Sequence, residues 1–106
     1  MGQNPRVATA IHFMEEHYAD RITLADLAGP AQMSVNSLLR VFKQATDMTP
    51  IDYLIHLRIR KACELLADPA CPIKEITFKV GFTDSNYFAR QFRKVMGMTA
   101  SEFRHR

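Results

Sequence analysis

Apolar residues recur every three or four positions along most of the chain, and no stretch alternates with the period of two that a half-buried strand requires. Val7, Ile11, Met14 and Tyr18 predict a first helix of about three to four turns, with Glu15, Glu16 and Asp20 on its other side. Met1 to Pro5 before it reads as a flexible start. Thr23-Leu-Ala-Asp26 has the form of a capping box and opens a short second helix through Leu24, Leu27 and Ala28. Gly29-Pro30 then requires that helix to stop near Ala28 or to distort. Ser34 caps a third helix, Val35 to Thr46.

The longest element follows. Thr49 is suited to the N-cap, Pro50 to the first helical position and Asp52 to the third. Asp68-Pro69 ends this helix, since proline disfavours helical backbone in the residue before it. Pro50 to Ala67 would form a rod of roughly 27 Å, able to link two small modules. After the loop Ala70-Cys71-Pro72, a fifth helix is expected from Ile73 to Val80, with Gly81 as its terminator. Thr83 or Asp84 caps a sixth, Ser85 to Met96, which Gly97 ends. Thr99-Ala-Ser-Glu102 is a second capping box and opens a final turn or two. The expected fold class is all-α, with about seven helices.

Two parts of the chain match each other. At a shift of 50 positions, Asn36 meets Asn86, Arg40 meets Arg90, Phe42 meets Phe92 and Lys43 meets Arg93. Met48 and Thr49 likewise meet Met98 and Thr99, and Tyr53 meets Phe103. The short helices align at 49, Leu24 with Ile73, Asp26 with Glu75 and Leu27 with Ile76, so the second turn is one residue longer. Asp47 stands where the second copy has Gly97, at a helix end that favours left-handed backbone. Each copy is a short helix, a tight turn and a longer helix, the form of a helix-turn-helix. The division expected is a first subdomain over residues 7–48, a linker helix over 49–67 and a second subdomain over 68–106.

The longer helices carry distinctive chemistry. On the sixth, Phe88, Phe92 and Val95 share a face, and Arg90 falls roughly 200° from Phe88 with Asn86 and Arg93 beside it. On the third, Leu38, Phe42 and Ala45 are expected to point inward, and Asn36, Arg40 and Lys43 outward. Arginine pairs bidentately with guanine and asparagine with adenine, while flanking cations meet phosphate. One such helix also suits a plain solvated face; two in matching register point to DNA. Charge agrees. The overall excess is only +3, but residues 84–106 set five cations against two acids, whereas residues 1–33 set two against four.

The remaining features exclude more than they assign. No apolar run reaches the ~20 residues of a membrane span, and no signal-peptide pattern opens the chain, so a cytoplasmic protein is expected. Cys63 and Cys71 lack metal-ligand or CxxC spacing and read as free thiols. His12, His17, His56 and His105 form no spaced cluster, so neither a metal nor a cofactor is expected. No nucleophile, base or carboxylate pair has the spacing of an enzyme. Arg58 falls on the apolar stripe of the long helix and needs a partner there; Asp26 or Glu75 is the expected one.

Ile73 to Phe103, IKEITFKVGFTDSNYFARQFRKVMGMTASEF, resembles the most specific part of the C-terminal DNA-binding domain of AraC/XylS family transcription regulators. Val80-Gly81-Phe82, Tyr87-Phe88, Arg90, Phe92 and Gly97-Met98-Thr99 carry the likeness, as do Leu24-Ala-Asp-Leu27, Arg40-Val-Phe-Lys43, Met48-Thr-Pro50 and Leu57-Arg58-Ile59. Thr77 and Ala100 depart from it, standing where alanine and proline are usual, and Gly29-Pro30 interrupts a helix that usually continues. The resemblance implies two helix-turn-helix units that enter successive major-groove segments of double-stranded DNA. Val35, Asn36, Leu39 and Arg40 of the first unit, and Ser85, Asn86 and Arg90 of the second, would face the groove. Lys43, Arg93 and Lys94 would hold phosphates. It further implies regulation, with activation through RNA polymerase, and a separate effector or dimerisation domain outside this chain. The alternative is a helical protein-interaction module without DNA binding.

Overall fold

The computed structural model describes residues 4–106, which form seven helices and no strand. They are α1 (Pro5–His17), α2 (Leu24–Ala28), α3 (Val35–Thr46), α4 (Pro50–Leu66), α5 (Ile73–Lys79), α6 (Ser85–Met96) and α7 (Ala100–Arg104). The fold is all-α, with two helix-turn-helix motifs, α2–α3 and α5–α6, joined through the long helix α4. The expected flexible start lies outside the described residues at Met1 to Gln3. At Asn4 and Pro5 the expectation fails: the Asn4 side chain accepts the Arg6 N–H at 2.9 Å, and Pro5 occupies the first helical position, which needs no N–H.

The chain divides into two compact units, one ending at Leu54 and one spanning Ile55–Arg106, so that α4 contributes to both. In the first, α1, α2 and α3 pack together around Val7, Met14, Leu27, Ala31, Leu38 and Phe42, all buried. Phe42 meets Tyr53 edge-to-face, with centroids 5.5 Å apart at 83°. The second unit buries Ile76, Val80, Phe82, Phe88 and Phe92. Phe92 meets Phe103 at 5.9 Å and 77°, repeating the Phe42–Tyr53 contact at the matching positions. Each fully buried Phe, like each buried Leu, Ile or Met beside it, contributes about 1.5–3 kcal/mol.

The turns of the two motifs close in the same way. In the first, the Met33 N–H donates to the Ala28 carbonyl at 3.0 Å, and Gln32 takes a left-handed φ of 56°. In the second, the Phe82 N–H donates to the Thr77 carbonyl at 3.1 Å, and Gly81 takes a φ of 103°. Both bonds span five residues, as in a Schellman terminus. Gly29-Pro30 shortens α2 rather than distorting the turn: Pro30 matches Lys79, and it has no N–H to extend the helix. α5 itself ends at Lys79, one residue short of the expected Val80, whose φ of −93° and ψ of 5° leave the helical region. Thr77, in the position expected of alanine, is buried with its hydroxyl donating to the Ile73 carbonyl at 3.1 Å.

Arg104 secures the end of α4. Its Nε donates to the Leu66 carbonyl at 3.2 Å, and its Nη2 to the carbonyls of Asp68 and Cys71, at 3.0 and 2.6 Å. A helix leaves its last carbonyls without intrahelical partners, and here a guanidinium from α7 serves one of them and the loop beyond. Cys63 and Cys71 are free and half-buried.

Candidate nucleic-acid interface

α3 and α6 begin on matching caps. The Ser34 hydroxyl accepts the Ser37 N–H at 3.1 Å. The Asp84 carboxylate accepts those of Asn86 and Tyr87, at 2.8 and 3.2 Å. Asp84, not Thr83, is therefore the cap of α6. Both helices bury Leu38 and Phe42, or Phe88 and Phe92, and so turn their opposite faces to solvent. The wheel misplaced one residue. Ala45 is exposed, because it borders an open groove along α1, lined by Val7, Ala8 and Ile11, that its short side chain does not fill.

On α3, Asn36, Arg40 and Lys43 are exposed, and Val35 and Leu39 are half-buried at the edge of the same face. Lys43 reaches down its helix to donate to the Asp47 carbonyl at 3.2 Å, which holds its charge over the helix C-terminus. On α6, Ser85, Asn86, Arg90, Arg93 and Lys94 are all exposed. Ser85 stands apart from the others. It lies about 140° around the helix from Arg90, and it borders an apolar groove with Ile73, Thr77 and Ala100. Neither helix carries an acidic residue between its caps, so each presents an uninterrupted polar and positive ridge.

One exposed residue on this surface was not among the expected site residues. Tyr87 lies about 60° from Arg90 on α6, and the Arg90 guanidinium carbon sits 5.8 Å from its ring centroid. Its wheel position was readable in the sequence, but an aromatic residue there reads first as core. Arg58 lies half-buried with its guanidinium carbon 5.8 Å from the Phe82 centroid. Burial pulls the pKa of Arg58 below the ordinary arginine value, and the Tyr87 phenol opposes that shift. Of its two expected partners, Asp26 accepts the Thr23 N–H at 2.9 Å, and Glu75 lies 3.8 Å from the Lys79 ammonium.

Two copies of a capped, basic-faced helix behind a tight turn define a helix-turn-helix protein. The Helix-turn-helix domain family matches residues 27–106, and the chain belongs to the AraC-type DNA-binding domains of transcription regulators. The HTH-type transcriptional activator RhaR of Mannheimia succiniciproducens is 36% identical over 93 residues, 88% of this chain and 34% of that protein. The chain spans about a third of the length of the curated relatives it matches. A transcriptional regulator from Chromobacterium violaceum, of the AraC-type DNA-binding domain proteins, superposes with a TM-score of 0.89 at 28% identity, covering 95% of this chain and 90% of that one. The DNA-binding domain of AdpA, a global transcriptional factor solved in complex with a target DNA, superposes with a TM-score of 0.87 at 25% identity, over 94% and 90% of the two chains.

Proposed function

We propose that this chain binds double-stranded operator DNA in a sequence-specific manner, with α3 and α6 each entering a major-groove segment, the two segments being successive. One observation carries the reading: an asparagine, an arginine and a further cation recur at the same positions on the solvent faces of two capped helices. Asn36 and Arg40, with Val35 and Leu39 beside them, read bases for the first subdomain, residues 7–48. Asn86 and Arg90 do so for the second, residues 68–106, while Ser85 lies to the side at the start of α6, and residues 49–67 link the two. Lys43, Arg93 and Lys94 hold phosphates. The parent regulator works in the bacterial cytoplasm and activates transcription through RNA polymerase, and an effector or dimerisation domain lies outside this chain. RhaR, named an activator, supports the activation, and AdpA, solved in complex with a target DNA, supports the DNA binding.

Fluorescence anisotropy with a labelled duplex, titrated at several salt concentrations, tests it. A log K that falls linearly with log salt, together with a preference among duplexes, is the expected result. Binding that is absent at low salt would favour a helical protein-interaction module instead.

A further inference from the structure

Four side chains of the second unit lie next to one another in series. Arg90 is exposed, and its guanidinium carbon lies 5.8 Å from the centroid of the Tyr87 ring. Tyr87 is 37% exposed, and its ring lies 6.0 Å from that of Phe82, at 54°. Phe82 is buried, and Arg58 lies 5.8 Å from its centroid on α4. The two rings in the middle of this series are fixed. Phe82 is held by its N–H bond to Thr77 in the turn, and the Tyr87 backbone by the Asp84 cap. Only Arg90 at the outer end is a long, solvated side chain with freedom to lose.

The first unit lacks this arrangement. At the position matching Tyr87 it has Ser37, whose hydroxyl accepts a hydrogen bond from Ser34 at 3.0 Å. Arg40 therefore has no ring one turn before it, and the two arginines, equivalent in sequence register, differ in support.

We infer that Tyr87 is a positioning residue for Arg90, its ring restraining the guanidinium in a groove-ready orientation before DNA arrives. A side chain ordered beforehand loses less freedom on docking, and a guanidinium over an aromatic face keeps its outward N–H donors available. This inference rests on the reading of Arg90 as a base-reading residue. It adds that the arginine of the second unit works with a ring behind it, whereas Arg40 of the first works without one.

The test uses the whole chain and two duplexes: the sequence that the wild-type protein enriches most from a random pool, and a scrambled version of it. Tyr87→Phe keeps the ring and should bind both duplexes as the wild type does. Tyr87→Leu, with Tyr87→Met as a second ring-free variant, should weaken binding to the enriched duplex by roughly three- to fivefold. Scrambled-duplex binding should not change, and the small fall in melting temperature from losing the Phe82 contact should be the same with Arg90 present or replaced. In an Arg90→Ala background, Tyr87→Leu should have no further effect. Equal losses on both duplexes, or an undiminished loss in the Arg90→Ala background, would show that Tyr87 acts on DNA directly or on folding, and would overturn the inference. If Arg90→Ala weakens the enriched duplex but the ring-free variants do not, the inference alone fails. If Arg90→Ala leaves discrimination intact, the reading of Arg90 fails, and the role of Tyr87 with it.

Discussion

Asp47 and Gly97 end α3 and α6 in the same left-handed conformation, with φ of 61° and 77°, and each donates its N–H four residues back, to Lys43 and Arg93 respectively. One is a glycine and the other is not, so the repeat contains its own comparison. A side chain in this region costs roughly 1 kcal/mol that glycine avoids. Asp47→Gly should therefore stabilise the protein by about 0.5–1 kcal/mol, and Gly97→Ala should destabilise it by about 1 kcal/mol. A Cβ at residue 97 would meet nothing within 4 Å, so that loss would reflect backbone strain alone. Urea melts of the two variants check both signs. The same reasoning extends to Gln32, which takes the left-handed place that Gly81 holds in the second turn.

Arg104 donates three hydrogen bonds to carbonyls 33 to 38 residues away in sequence. Arg104→Met should cost about 1–3 kcal/mol, because the carbonyls of Leu66, Asp68 and Cys71 lose a charged donor together. Arg104→Lys should recover only part of the loss, since one ammonium cannot reproduce the guanidinium fork. Hydrogen exchange should speed up at the amides of Ala67, Asp68, Ala70 and Cys71 and remain unchanged in α1.

The two capping boxes make stability depend on acid pH. Asp26 and Glu102 each accept a backbone N–H, from Thr23 at 2.9 Å and Thr99 at 2.8 Å, and those bonds hold both carboxylates below their ordinary pKa values. A depressed folded-state pKa means that the contribution is complete above the ordinary carboxylate range, near pH 4, and disappears as pH falls through the lowered value. The melting temperature should therefore decline from about pH 5 towards pH 2, less steeply in Asp26→Asn and Glu102→Gln than in the wild type. Equal slopes in all three proteins would contradict these assignments.

Among the cations, Arg90 and Lys94 should separate by function. Arg90→Ala should weaken specific binding by about 1–3 kcal/mol and relax preference at one position. Lys94→Ala should leave preference unchanged and reduce the slope of log K against log salt by about 0.9, the share of one phosphate contact. An unchanged salt slope would remove Lys94 from the phosphate set.

What the sequence made legible was local. Thr23 with Asp26, and Thr99 with Glu102, announce their helices because the cap and its reciprocal acid lie three residues apart. The Asp47–Gly97 correspondence was legible because the repeat places both at one register. The contacts that the sequence does not reveal depend on what lies opposite. A helical wheel points Ala45 inward but does not reveal that the neighbouring α1 leaves a groove there. Arg104 reads as one more cation of the basic tail until the chain folds back on the loop after α4. A charge on the apolar stripe of α4 calls first for a carboxylate, and the sequence does not reveal that the Phe82 ring also lies beside the Arg58 guanidinium. Asn4 and Pro5 looked like a loose end, although both have standard places at a helix start. The exposure of Asn36 and Arg40 on α3, and of Asn86 and Arg90 on α6, followed from periodicity; the ring beside Arg90 required coordinates.

Selection of bound duplexes from a random pool, repeated with Arg40→Ala and with Arg90→Ala, tests the central claim most directly. The wild type should enrich two clusters of preferred base pairs with centres about one helical turn, roughly 10 base pairs, apart. Arg40→Ala should relax preference at one position within one cluster, and Arg90→Ala at one position within the other. A pool without enrichment, or a motif that survives both substitutions intact, would contradict it.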